Sequence, residues 1–278
     1  MLLTLIAVLT VVSALLECWL DGVFQNADWI WDLLGSVVDN AVLWLVLAFA
    51  FLWVVCAVVD QNKPQEKDSK FYRTVAGLYI EALVQLLGVR IHTEGMEKLP
   101  KEGRFLLVCN HQHLADPAIL LHCFRRSQLA FISKQENRDM FIVGKLMHKI
   151  LCQTLDRDND RSALKTIVNC IRIIKEDKAS VAVFPEGYTS KDAKLRHFRP
   201  GVFKIAQKTK VPIVVCTIQN TRQILKNVPK LRPTDIELHL VAVVEPEELE
   251  GKTTVQISDE IHALMAADLG PENVAENT

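Results

Sequence analysis

Two short stretches of the chain carry residue types that could do chemistry together. The first is Asn110-His111-Gln112-His113-Leu114-Ala115-Asp116-Pro117, in which a histidine and an aspartate stand five positions apart. An imidazole titrates near neutrality and can take a proton from a hydroxyl, so His111 is a candidate general base. A carboxylate in reach of the other ring nitrogen would fix the tautomer and stabilise the imidazolium that forms, the role open to Asp116. Pro117 suits the first turn of a helix. The second stretch is Val181-Ala182-Val183-Phe184-Pro185-Glu186-Gly187-Tyr188-Thr189-Ser190, an apolar strand ending in a proline, an acid and a glycine. Gly187 can take a positive φ and let backbone amides approach an anion. Taken alone, a His-x4-Asp spacing is also what chance provides in a chain with eight histidines, and a Pro-acid-Gly turn is an ordinary strand-to-helix connection. The two together at one sheet edge would make a site.

Placing them at one edge requires parallel strands, and the chain after Gly88 alternates short β-rich runs with helical segments, the pattern of an α/β domain. The runs predict strands over Val89–Thr93, Phe105–Cys109, Leu129–Ser133, Cys152–Leu155, Ser180–Phe184, Ile213–Ile218 and Ile236–Val244. Between them the spacing predicts helices over Pro117–Phe124, Arg138–Lys149, Arg161–Glu176, Gly201–Lys208 and Val255–Ala267, with Gly270–Thr278 a frayed polar end. The expected fold is a largely parallel central sheet flanked by helices, with its chemistry at the carboxyl ends of the strands.

Ahead of that domain lie two apolar runs, Leu2 to Trp19 and Ala41 to Val59, each about long enough to cross a hydrocarbon core of roughly 30 Å. They predict a membrane hairpin over residues 1–60, a polar linker over 61–70 and the α/β domain over 71–278. A cleaved leader is the alternative for the first run, which has no basic residue before its apolar core. The connection carries Asp21, Asp28, Asp32 and Asp39, whereas Lys63, Lys67, Lys70 and Arg73 follow the second run. That asymmetry predicts a domain on the cytoplasmic side. The alternative is a shallow hairpin that enters and leaves one leaflet, making the protein monotopic rather than integral, and hydropathy alone does not separate the two. Helical spacing of Phe71, Val75, Leu78, Tyr79, Ala82, Leu83 and Leu86 leaves two options, a helix on the core or one in the headgroup region.

Six of the 33 acidic residues but none of the 32 lysines and arginines fall in residues 1–62, so the remainder is mildly basic. This suits an anionic membrane surface or phosphorylated substrates and argues against nucleic acid as a partner. Seven scattered cysteines, without a C-x-x-C pair, read as reduced core residues. Cys109 neighbours the histidine loop, yet its place in an apolar strand favours packing over a nucleophile's role. His111 and His113 form an H-x-H pair with no third ligand at telling spacing, so no metal is expected.

In order along residues 105–218 stand Asn110-His111-x4-Asp116, Thr154-Leu155-Asp156-Arg157, Phe184-Pro185-Glu186-Gly187 and Val211-Pro212-Ile213-Val214. This series resembles the blocks of the glycerolipid acyltransferase family, best known for the 1-acylglycerol-3-phosphate O-acyltransferases. The resemblance implies that His111 is the base on an acceptor hydroxyl and Asp116 its partner. It further implies that Asn110, Lys134, Arg157, Glu186, Gly187 and Thr189 belong to substrate binding. The family's third block commonly continues Thr-Arg-Ser where this chain has Tyr188-Thr189-Ser190, so the usual phosphate-binding arginine is missing at position 189. Arg157, Lys134, Lys191, Lys194 or Arg196 would then supply the charge, or the acceptor is not lysophosphatidate.

What the resemblance implies is a membrane-bound acyltransferase that moves a fatty acyl group from acyl-CoA or acyl-carrier protein, without a further cofactor, to the hydroxyl of a lysophospholipid. Alternatives are another lyso-lipid acceptor, a metal-dependent hydrolase using His111 and His113, or a catalytically silent lipid-binding protein.

Overall fold

The structure is a computed structural model that describes residues 1–65, 67–155, 160–190 and 192–275, with side chains described for all of these except 160 and 161. Its elements, in chain order, are α1 (Leu2–Leu20), α2 (Trp29–Ala57), α3 (Lys70–Leu86), β1 (Val89–Glu94), β2 (Leu106–Cys109), α4 (Asp116–Cys123) and β3 (Leu129–Lys134). Then come α5 (Glu136–Asp139), α6 (Phe141–Lys149), β4 (Gln153–Leu155), α7 (Asp160–Lys175), β5 (Ser180–Val183) and α8 (Lys204–Thr209). The last are β6 (Ile213–Gln219), α9 (Gln223–Asn227), β7 (Thr234–Val244) and α10 (Thr254–Leu269).

The strands form one sheet in the order β1-β7-β6-β2-β5-β3-β4, and among the described residues β6 with β7 is the antiparallel pair in an otherwise parallel sheet. β2 and β5 are buried on both faces, which is why they read as unbroken apolar runs rather than as alternation. One face of the sheet (Leu106, Val108, Val181, Val183, Ile213, Val215) packs against α7, α8 and α10. The other (Phe105, Leu107, Cys109, Leu129, Ala182, Val214, Cys216) packs against α4, with the partly buried Tyr72 and Met147 of α3 and α6. The chain leaves β2 for α4 on one face and leaves β5 for α8 on the other, so the loops after these neighbouring strands diverge. The carboxyl ends of these neighbouring strands are the usual place for a ligand in an open α/β sheet.

α1 and α2 form an antiparallel hairpin whose polar groups satisfy one another: Glu17 accepts from Ser36 Oγ (2.6 Å) and Asn40 Nδ2 (2.7 Å), and Trp44 Nε1 donates to Ser13 Oγ (3.1 Å). Most of its apolar side chains are exposed, and both helices are long and apolar enough to cross a membrane. The end nearest the domain is docked. Tyr72 Oη donates to the Val55 carbonyl (3.0 Å) and Tyr79 Oη to the Ala48 carbonyl (2.6 Å), so α3 runs antiparallel along the last turns of α2. α3 packs on the core through Val75, Ala76 and Ala82 and leaves Phe71, Leu83 and Leu86 exposed.

Polar residues 61–70 are not a free tether. Gln61 Nε2 donates to the Arg138 carbonyl, Gln65 Nε2 to that of Cys152 and Lys145 Nζ to that of Val59. Ser69 caps α3 by accepting from Tyr72 N, so the helix begins at Lys70. Arg73 pairs with Asp68 at 2.7 Å and donates to the carbonyls of Leu129 and Ile150, so its charge is spent inside the fold.

Two expectations need correction. The single helix over Arg138–Lys149 is broken at Met140, which is extended (ψ 121°), because α5 folds back until the Arg138 carbonyl occupies the space a Cβ on Gly144 would need. The end over Gly270–Thr278 is not frayed through residue 275. Val274 bridges Leu195, whose amide donates to the Asn273 carbonyl and whose carbonyl accepts from the Ala275 amide.

Candidate active site

β2 ends at Cys109, and the next residue ends the pairing with β6 by a side-chain substitute. Asn110 Oδ1 accepts from the Ile218 amide (2.7 Å) and its Nδ2 donates to the Ile218 carbonyl (2.9 Å). The buried side chain thus takes the place of a backbone rung, freeing the main chain to turn into the histidine loop. Asn110 acts as a structural clamp through these two bonds.

His111 is held on four sides. Its Nδ1 lies 2.8 Å from Asp116 Oδ2, its amide donates to Glu186 Oε1 (2.8 Å), and its carbonyl accepts from the Ser190 amide (2.9 Å). The ring stacks on Phe184 with centroids 4.1 Å apart and planes 18° apart. An ionised aspartate can only accept, so Nδ1 carries the hydrogen and Nε2 the lone pair, the tautomer of a base. Asp116 is fully buried, and the same Oδ2 also accepts from the amides of Gln112 (2.7 Å) and His113 (2.8 Å). Three donors on one oxygen concentrate the negative charge at the imidazole. The five-residue separation works because the intervening loop folds around this carboxylate before α4 begins.

Glu186 joins the two loops. Its Oε1 holds the His111 amide and its Oε2 the Arg196 amide (3.2 Å), and burial raises its carboxyl from the ordinary range to about 7. With both oxygens on backbone amides it ties the histidine loop to the loop that follows β5. Gly187 has φ +80°, and a Cβ there would stand 2.8 Å from Arg199 Nε. Lys134 is exposed at the carboxyl end of β3 and Thr189 in the loop after β5, neither with a side-chain hydrogen bond among the described residues. Arg196 is paired with Asp192 (2.8 Å), whose carboxyl is pulled down to about 2, with the Ser190 hydroxyl as the largest cause. Arg157 and Lys191 lie outside the described residues.

Cys109 is fully buried, and desolvation pushes its thiol well above the ordinary range, so it packs the core and is no nucleophile. His113 accepts from the Ala115 amide through Nδ1 and is pushed toward its neutral form, chiefly by burial, with Arg222 and His111 adding to the effect. Among the described residues no three His, Cys, Asp or Glu side chains are grouped as a metal site. Sequence reading missed the stacking role of Phe184, Ser190 as an anchor, and two cations: Arg199 over Gly187 and Arg222 near His113. Arg199 had a signal, ten residues past Thr189 and next to Pro200-Gly201, but only the folded loop shows that it returns to the Gly187 turn.

Residues 90–219 match the family model described as Acyltransferase. The chain is 31% identical over 185 residues to a probable 1-acyl-sn-glycerol-3-phosphate acyltransferase of Mycoplasma pneumoniae, a match covering 64% of this chain and 66% of that protein, just under two thirds. It is 26% identical over 256 residues to the 1-acyl-sn-glycerol-3-phosphate acyltransferase of Cocos nucifera, covering 91% and 81%. The fold resembles that of the 1-acyl-sn-glycerophosphate acyltransferase from Thermotoga maritima, with a TM-score of 0.62 at 22% identity over 84% of this chain and 91% of that one. The matched region, residues 90–219, carries both loops that meet at His111 and is similar to the acyltransferase family.

Proposed function

We propose that the protein transfers a fatty acyl group from an acyl thioester to the hydroxyl of a lysophospholipid, with 1-acyl-sn-glycerol 3-phosphate as the leading acceptor and phosphatidate as its product. The observation that carries this reading is the fixed His111–Asp116 pair, with Nε2 left as the basic atom. Nε2 takes the acceptor's hydroxyl proton as the oxygen bonds to the thioester carbonyl carbon. The carbon–sulfur bond then breaks, and the proton passes from the imidazolium to the departing thiolate. A thioester already has a good leaving group, so direct transfer between two held substrates needs no acyl-enzyme. The inert Cys109 supports that route.

Acyl-CoA or acyl-carrier protein would serve as donor, with no further cofactor. The relatives' names support the acceptor, as do two exposed apolar residues on the catalytic loops, Leu114 and Tyr188, suited to a lipid rather than a sugar or a nucleotide. In this reading the hairpin anchors the domain on the cytoplasmic face, where an acceptor in the bilayer and a donor from the cytosol can meet. The test is acyl transfer by the purified protein across a panel of lyso-lipids. His111→Ala should lose at least about a hundredfold in turnover. Equal turnover by wild type and variant would overturn the mechanism. A wild type that acylates other lyso-lipids but not lysophosphatidate would favour the second reading, for which Thr189 in place of an arginine is the motivating observation.

A further inference from the structure

We infer that Arg199 supplies the guanidinium that binds the acceptor's phosphate, replacing the arginine absent at position 189. The inference rests on the acceptor proposed above. A phosphate monoester bound beside His111 in a partly desolvated site needs a charge-assisted donor. Of the cations suggested by position in the sequence and described in the structure, Arg196 is neutralised by Asp192, Lys134 lies two strands from β2, beyond β5, and Lys194 offers a point charge rather than the forked donor of an arginine.

Arg199 meets the requirement by geometry. Its amide donates to the Pro185 carbonyl (2.8 Å), which binds the residue to the Pro185-Glu186-Gly187 turn. Its side chain then crosses Gly187, with Nε, Cδ and Cζ at 2.8, 3.0 and 3.6 Å from where a Cβ would be. The glycine is thus required twice, once for its φ of +80° and once for the room the guanidinium takes. That turn is one residue from Glu186, which holds the His111 amide, and three from Ser190, which holds its carbonyl. Among the described residues the Arg199 guanidinium has no acidic partner, and the side chain is exposed. A forked donor on the same turn as the catalytic loop's anchors is suited to two oxygens of a phosphate. Thioester donors that carry phosphates share this chemistry, and the assay must separate the two sources.

The experiment compares full-length wild type with Arg199→Gln, Arg199→Lys and the Thr189→Arg/Arg199→Gln double variant. KM and kcat are measured with lysophosphatidate, with phosphate-free monoacylglycerol, and against varied acyl-CoA. Arg199→Gln should raise KM for lysophosphatidate by about 10- to 100-fold, the value of a charge-assisted hydrogen bond, with kcat, donor KM and monoacylglycerol turnover changing less than about threefold. Lysine should recover part of the loss, and the double variant most of it. An unchanged acceptor KM, a rise in donor KM instead, or an equal loss with both acceptors would each overturn the inference while leaving lysophosphatidate as the acceptor. A wild type inactive on lysophosphatidate would remove both.

Discussion

Replacing Asp116 by asparagine tests the catalytic reading with little steric disturbance. The native Oδ2 accepts from His111 Nδ1, Gln112 N and His113 N at 2.7–2.8 Å. An asparagine can present its oxygen to the same three donors, so the loop keeps its shape but loses the charge. A hydrogen bond to a charged group contributes about 1.5–3 kcal/mol against about 0.5–1.5 for a neutral one. Losing that difference on the two amides costs on the order of 2 kcal/mol of stability. The bond to His111 matters differently, because it strengthens as the imidazole gains a proton and the aspartate's side chain is fully buried. Taking away the counter-charge of the imidazolium should lower kcat by about 10²- to 10⁴-fold. Steady-state acyl transfer to lysophosphatidate, with thermal unfolding followed by circular dichroism in the same detergent, gives both quantities. A variant that unfolds several degrees earlier yet keeps kcat within about threefold of wild type would refute the assignment. It would leave Asp116 as a loop-folding residue only.

Other variants address the scaffold. Asn110→Ala strips both partners from the buried Ile218 amide and carbonyl and should cost about 2–4 kcal/mol; an unchanged melting temperature would show that the clamp is dispensable. Gly187→Ala sets a substituted residue at φ +80° and drives a methyl toward Arg199 Nε. It should cost about 1–2 kcal/mol of stability and raise acceptor KM, whereas wild-type kinetics would show that the turn tolerates a side chain. Glu186 sets a pH dependence, since its carboxyl rises on burial from the ordinary 4.5 to about 7. The folded protein holds that proton more tightly than the unfolded chain. Its contribution is therefore complete below about pH 4.5 and falls by on the order of 3 kcal/mol as pH rises to about 7. Melting temperatures of wild type relative to Glu186→Gln, measured from pH 4.5 to 7.5, should decline over that window; parallel curves would show that Glu186 is not the group responsible.

The seven strands were legible, β2, β5 and β6 as buried runs bounded by turns and β7 by its alternation, and the structure moves their ends by at most two residues. His111, Asp116, Glu186 and Gly187 were legible because each lies at the carboxyl end of such a run. The inward role of Asn110 and Glu186 was not: an amide facing a substrate and an amide replacing a sheet rung are identical in sequence, and only the position of Ile218 decides between them. Arg199 was hidden for a related reason, since the loop from Glu186 to Pro200 doubles back without any periodicity to announce it. The docked terminus depends on a distant residue, Leu195, and the break at Met140 on a close approach of the Arg138 carbonyl to Gly144, and neither shows in the apolar periodicity.

The two tyrosine hydroxyls of α3 on the carbonyls of Ala48 and Val55 have a mechanical consequence. They grip the end of α2 at two points about two helical turns apart, so the hairpin cannot swivel about a single pivot. The stretch of α2 left protruding, residues 29–47, is about 28 Å long at 1.5 Å per residue. If the hairpin anchors the domain as proposed, a protrusion of set length on a stiff mount would act as a depth gauge, keeping His111 at a constant elevation over the lipid carbonyls. Lipids would then have to climb the same distance at every turnover, and the length of α2 rather than the chemistry of the loops would determine how far.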